Sequence, residues 1–259
     1  RVSYLSCLFT EDSTEKSFFS SKLCFTLRCN LTNENITCTN FGTYLYDIEI
    51  SPELISKISE KILPEVTAWQ NRPLESVYPF VFMDAIHYKV KENHQYITKA
   101  AYVVLGINME GGKDILGIWI GEHESSKFWL NVLTELKSRG VRDVYLFCVD
   151  GLAGFREAIE AVYPNAGIQR CIIHQIRYST RFVSYKDIKE LMADLKLVYT
   201  AVTEDEALNN LMRFKEKWSK SYPSCVKTWE DNWDILSTFF AYPAEIRKII
   251  YTTNIIEGL

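Results

Sequence analysis

The chain has 259 residues, 47% hydrophobic and 14% aromatic, enough to build one large domain or two small ones around a packed core. Its 29 basic and 33 acidic residues leave a formal charge of −4, so overall charge gives no pointer to nucleic acid and any such surface must be a local patch. No apolar run reaches the length of a membrane span, and the opening RVSYLSCLFTEDSTEKS lacks a charged leader with an apolar segment and a cleavage site, so the sequence reads as cytoplasmic, with no membrane partner.

Residues 1–42 are rich in Ser, Thr, Asn and Cys and show neither a helical stripe nor a clean strand alternation, so residues 1–45 read as a poorly ordered segment. Cys7, Cys24, Cys29 and Cys38 contain no Cys-x-x-Cys pair and no histidine lies among them, which favours free thiols over a zinc site. From Ser51-Pro52-Glu53 a helix is expected, with Leu54, Ile55, Ile58 and Ile62 on one face. Val66 and Trp69 extend that face past Pro64. Arg72-Pro73-Leu74 reads as a linker.

Tyr78–Val90, Tyr96–Asn108 and Ile115–Gly121 read as three successive strands, the last two joined by the hairpin turn Met109-Glu110-Gly111-Gly112-Lys113. Ser125 or Ser126 then caps a helix whose Trp129, Val132, Leu133 and Leu136 face inward, and Gly140 ends it. Val144–Val149 is an apolar run suited to a strand covered on both faces, and it ends at Asp150. Gly151 and Gly154 permit a tight exit into a helix carrying Phe155, Ala158, Ile159 and Val162, and Ile168–Ile173 reads as one more short strand. Three strands in hairpins followed by helix, strand, helix and strand fit an α/β fold with a mixed five-stranded sheet flanked by helices.

Residues 186–250 read as wholly helical. Ile188, Leu191, Met192, Leu195 and Val198 make one stripe. Thr203 and Glu206 form a capping box before Leu208, Leu211, Met212 and Trp218, and Pro223 is read as the stop. Trp229, Trp233, Leu236 and Phe240 supply a third helix, with the tryptophans as helix-helix core, and Ala244–Ile250 a fourth. Thr253–Glu257 looks like a fresh helix start.

Three acids stand out. Asp84 lies within the first strand and Asp150 at the end of the fourth, 150 − 84 = 66 residues on, and in a ribonuclease H-like sheet those strands are neighbours. Two close carboxylates destabilise each other unless a cation neutralises them, and Mg²⁺ prefers carboxylate oxygens. A pair of such ions supports phosphodiester displacement if a third acid is present, for which Glu257 is the candidate. The structural alternatives are a loop-bracing Asp150, an edge or bulge Asp84 and a helix-capping Glu257. His87, three residues past Asp84, points to the other face of an ideal strand and is not taken as a ligand. Arg170, Arg177, Arg181, Lys186 and Lys189, interleaved with Tyr178, Phe182 and Tyr185, form the local basic patch, suited to a phosphate backbone or equally to a solvated helix face diluted by Asp187, Glu190 and Asp194.

At YPFVFMDAIHYKV, CVDGLAGFREAI, RCIIHQIR and IYTTNIIEGL the sequence resembles the Mutator-type transposases of bacterial insertion sequences, within the Asp-Asp-Glu transposase superfamily, from about Tyr46 to Leu259. The resemblance implies a ribonuclease H-like core over residues 77–176, after a helical lead-in at 46–76. It implies a helical insertion between the second Asp and the Glu, here residues 177–250, and the start of the helix carrying the Glu at 251–259. It implies Asp84, Asp150 and Glu257 as the catalytic and metal-holding triad, Mg²⁺ with Mn²⁺ as a substitute, transposon ends and target DNA as partners, a nucleoid location and a homo-oligomer on paired ends. It also brings the Cys-x-x-His signature, Cys171 and His174. His174 is expected to position DNA or a metal ligand, and Cys171 to pack. The family's N-terminal repeat-recognising region and helical tail are not evident here, and the chain ends 259 − 257 = 2 residues after Glu257. A catalytically silent, truncated remnant that folds and binds DNA or a partner is therefore the second expectation.

Overall fold

The computed structural model describes residues 27–32, 35–40, 52–92, 95–121, 125–151, 154–251 and 256, and the chain divides into two units, residues 1–72 with Leu259 and residues 73–258. In the first unit, strands β1 (Leu27–Thr32) and β2 (Asn35–Asn40) pair antiparallel, from Leu27 opposite Asn40 to Thr32 opposite Asn35. The sequence shows no clean alternation there, yet a hairpin needs only its backbone ladder to form. The rest of 1–45 lies outside the described residues. Helix α1 (Pro52–Gln70) opens on a proline, whose missing N–H is no loss at the first turn, and runs through Pro64 to Gln70. Of its expected apolar face, Ile58, Ile62 and Trp69 are half-buried while Leu54 and Val66 are exposed.

The second unit is built on five strands: β3 (Val77–Glu92), β4 (Gln95–Ile107), β5 (Lys113–Gly121), β6 (Asp143–Val149) and β7 (Gly167–Arg170). Their order is β5-β4-β3-β6-β7, antiparallel from β5 to β3 and parallel from β3 to β7. This is the ribonuclease H-like sheet, with its first strand in the centre. The β3–β6 register runs to Met83 opposite Val149, which sets Asp84 and Asp150 as the next pair along. Alternation along a strand puts both on the face that carries Phe82 and Cys148, a pair in the same register.

The opposite face packs against α2 (Ser126–Ser138) and α3 (Phe155–Val162). Ser125 caps α2, its Oγ accepting the Phe128 N–H at 3.1 Å. Trp129, Val132, Leu133 and Leu136 of α2 and Phe155, Ala158, Ile159 and Val162 of α3 join Tyr78, Tyr102, Val104 and Phe147 of the sheet in one apolar cluster. Trp129 stacks on Phe155 at 4.0 Å between ring centroids.

Beyond β7 the chain is helical: α4 (Ile172–Thr180), α5 (Tyr185–Tyr199), α6 (Glu204–Trp218), α7 (Pro223–Glu230), α8 (Trp233–Leu236), a 3₁₀ turn (Thr238–Ala241) and α9 (Ala244–Ile250). Four expectations are corrected. The strand expected over Ile168–Ile173 stops at Arg170, because Cys171 donates its N–H to Val149 and then caps α4, while Ile172 gives its N–H to the Tyr251 carbonyl. Pro223 opens α7 at its first turn instead of stopping α6, which ends at Trp218. The third helix is broken into α7, α8 and the 3₁₀ turn. The buried face of α6 is Ala207, Leu211, Phe214 and Trp218, with Leu208 and Met212 exposed.

The capping box is present, with Thr203 Oγ1 accepting the Glu206 N–H at 3.2 Å and Glu206 accepting the Val202 N–H at 3.0 Å. Trp229 is fully buried and donates its indole N–H to Ser179 at 2.8 Å, which makes it core. The segment after α7 docks on the outer side of β7 through polar contacts. Gln169 donates to the Leu236 carbonyl at 3.1 Å, and Thr238 donates to the Ile168 carbonyl at 2.8 Å.

Candidate metal centre

Asp84 belongs to the central strand, where it pairs with Val103 of β4 one residue past the last β6 pairing, Met83 with Val149, and it is 6% exposed. Its Oδ1 accepts the N–H of Ala85 at 2.8 Å. Asp150 follows β6 directly, where its Oδ1 accepts the N–H of Gly151. His174 lies in the first turn of α4, and that helix begins where β7 ends beside Val149, so its imidazole returns to the acids. Its Nδ1 stands 3.5 Å from Asp150 Oδ1, and Arg177 Nη1 stands 3.4 Å from its Nε2.

Asp84, Asp150 and His174 each offer a ligand atom, and the three atoms lie within 4.8 Å of one another. Octahedral ligands at about 2.1 Å from an ion sit about 3.0 Å apart when adjacent and about 4.2 Å when opposite. A bound of 4.8 Å leaves the three groups within a small side-chain adjustment of that spacing. Two carboxylate oxygens and an imidazole nitrogen suit a hard or borderline divalent cation.

A hydrogen bond with Cys171 raises the His174 pKa to about 9; burial opposes this, and the charges of Asp150 and Asp84 add to the rise. A cation at the acids acts in the other direction, since like charge disfavours the imidazolium. Cys171 itself is buried and in no disulfide with a described residue. Behind it, burial pushes the Cys148 thiol well above its ordinary value, with Cys171 adding to the rise.

The remaining expected site residues fall in different places. Arg177 and Arg181 are exposed on α4 and at its end, and Lys186 is exposed on α5, beside Tyr178, Phe182 and Tyr185, which are 54%, 79% and 93% exposed. Arg181 lies over the Phe182 ring at 5.4 Å. Arg170 differs: it is half-buried at the end of β7, burial lowers its pKa against the pull of Asp150, and its Nη1 donates to Asn232 Oδ1 at 2.6 Å. Asn232 was not marked by the sequence; it meets Arg170 across 62 residues only because the helical segment docks on β7. Glu257 lies outside the described residues.

The sheet order, with Asp84 in the middle of its central strand and Asp150 just past the end of the neighbouring one, defines a ribonuclease H-like core that carries a cluster of acids. Residues 38–259 match the family described as Transposase, Mutator family, and the chain belongs to that family. It is 47% identical over 216 residues to the transposase for insertion sequence element ISRM3 of Rhizobium meliloti (strain 1021), an alignment covering 83% of this chain and 54% of that one. It is 43% identical over 213 residues to a probable insertion sequence transposase of Corynebacterium diphtheriae, covering 82% and 62%. To the transposase for insertion sequence element IS256 in transposon Tn4001 of Staphylococcus aureus it is 28% identical over 217 residues, covering 81% and 54%. The chain thus spans about half the length of the relatives it matches. No described helix is long and apolar enough to cross a membrane.

Proposed function

We propose that the chain supplies the catalytic core of a DNA transposase, with Asp84 and Asp150 holding Mg²⁺ or Mn²⁺ and Glu257 completing the set of acids. The observation that carries the reading is the meeting of Asp84, Asp150 and His174 within 4.8 Å. Divalent ions held by these acids would supply activation of the attacking oxygen, from water in strand cleavage or from a DNA 3′-hydroxyl in strand transfer, and would offset charge on the leaving one. The chain's own residues do the positioning. Backbone register sets the distance between the two carboxylates, and the Ala85 and Gly151 amides each hold one oxygen of the aspartate before them. His174 steadies Asp150 from the α4 side. Support for Glu257 comes from the contact between the Tyr251 carbonyl and the Ile172 amide, which brings the chain to the start of α4 257 − 251 = 6 residues before that acid.

The exposed cations of Arg177, Arg181 and Lys186 would hold the DNA backbone, with Arg177 about 4.5 Å and Arg181 about 10 Å along the helical course from His174. The acids that dilute this patch in the sequence are engaged elsewhere. Asp187 accepts from Tyr222 at 2.6 Å, and Asp194 accepts from Lys217 at 2.7 Å and from Trp218 at 2.9 Å. Glu190 pairs with Lys217 at 2.6 Å. A homo-oligomer on paired ends belongs to the same proposal.

The test supplies the purified chain with Mg²⁺ or Mn²⁺ and a duplex that carries a transposon end. Metal-dependent cleavage or joining that prefers the end over plain duplex or hybrid, and that disappears in Asp84→Asn and Asp150→Asn, is the expected result. Cleavage that survives both substitutions contradicts the assignment.

A further inference from the structure

Arg170 and Asn232 stand beside the acids without belonging to them. The Arg170 guanidinium gives Nη1 to Asn232 Oδ1 at 2.6 Å, and its Nε is buried with no hydrogen-bond partner among the described residues. Asn232, between α7 and α8, is itself tied down, its Nδ2 donating to the Thr228 carbonyl at 2.7 Å. On its other side the guanidinium lies against the backbone of Gly151. A Cβ built there would run into Nη2, Cζ and Nε together. Gly151 is also the residue whose N–H holds the Asp150 carboxylate. A flexible arginine end would normally give way to a methyl group, but this one is held by Asn232.

We infer that Arg170 is a positioning residue, a brace through which Asn232 of the helical segment holds the Gly151 turn and so the direction of the Asp150 carboxylate. The inference rests on the reading of Asp150 as a metal-holding acid. It separates Arg170 from Arg177, Arg181 and Lys186, whose exposed heads suit phosphate contact, and gives the helical segment a part in the site. It also explains why position 151 is glycine on grounds of space. The next glycine, Gly154, is required by its left-handed φ of 87°.

The experiment compares the unaltered chain with Asn232→Ala, Asn232→Asp, Gly151→Ala and Arg170→Ala. It reads hydrogen exchange of the peptide containing Asp150 and Gly151 and, separately, Mn²⁺ affinity from the paramagnetic resonance signal of the free ion. Asn232→Ala is expected to speed exchange at that turn and to weaken Mn²⁺ binding by about 10-fold or more, the range for residues that orient a metal ligand. Asn232→Asp, which keeps an acceptor for Arg170 but loses the Nδ2 donor to Thr228, is expected to recover most of both. Gly151→Ala should weaken Mn²⁺ binding, and adding Arg170→Ala should leave the pair no worse than Arg170→Ala alone, because the obstructed group is gone.

Unchanged exchange at the turn in an Asn232→Ala chain of normal thermal midpoint overturns the brace, whatever happens to the ion. A faster turn in Asn232→Ala alongside no Mn²⁺ binding by the unaltered chain supports the brace and removes the metal reading beneath it. If Arg170→Ala leaves Mn²⁺ affinity intact and instead lowers the salt dependence of duplex binding, Arg170 is a phosphate contact and the brace is overturned.

Discussion

The sheet with α2 and α3, and the helical segment from α4 to α9, are held together in different ways. The first joins its parts through contiguous apolar packing, with Trp129, Leu133, Phe147 and Phe155 nearly or wholly buried. The second meets β7 through hydrogen bonds from Gln169, Arg170 and Thr238, and touches β3 through the edge contact of Tyr242 on Phe80 at 6.4 Å. The two regions differ in what each contributes to the acids. The sheet fixes the separation of Asp84 and Asp150 through backbone register, which no single side chain controls. The helical segment supplies what surrounds them: His174 at the head of α4, and Asn232 behind Arg170.

Substitutions can break that contrast at several strengths. The largest effect is expected from Asp84→Asn or Asp150→Asn, each of which should abolish metal-dependent cleavage of an end-bearing duplex while leaving the fold intact by circular dichroism. Leu133→Ala, in the sheet's own core, should lower unfolding free energy by about 2–5 kcal/mol in a denaturant titration. Its activity should fall only with the folded fraction, because register survives. His174→Ala should lower the cleavage rate by about 10–100-fold at normal stability, as expected for a group that orients a metal-holding side chain. A loss as complete as that of Asp150→Asn would instead make His174 part of the obligatory set. Arg181→Ala should do least to the chemistry, reducing the slope of log affinity for duplex DNA against log salt by roughly 1.

The same division governs what the sequence disclosed. The sheet was legible because its signals are local and redundant: apolar runs at β3 and β6, a Gly-Gly turn, and an amphipathic α2 with its serine cap. Two acids, one within a strand and one just past the end of another, could be placed once the strand order was known. The helical segment was legible as helix but not in its faces. Leu208 and Met212 continue an apolar pattern, yet docking buries Ala207 and Phe214 instead. Ile172 and Ile173 are β-branched and apolar and read as strand. What makes them helix is distant, the Val149 and Tyr251 carbonyls that take the N–H groups of Cys171 and Ile172. Asn232 carried no signal, since a lone asparagine is informative only when its partner is known.

The direct measurement of shared metal binding is a Mn²⁺ titration of the unaltered chain, of Asp84→Asn and of Asp150→Asn, followed through the paramagnetic resonance of the free ion. One ion held between the two carboxylates requires that either substitution remove the high-affinity binding seen in the unaltered chain. Full retention of that affinity in either variant would mean that Asp84 and Asp150, though neighbours in the sheet, do not serve one site.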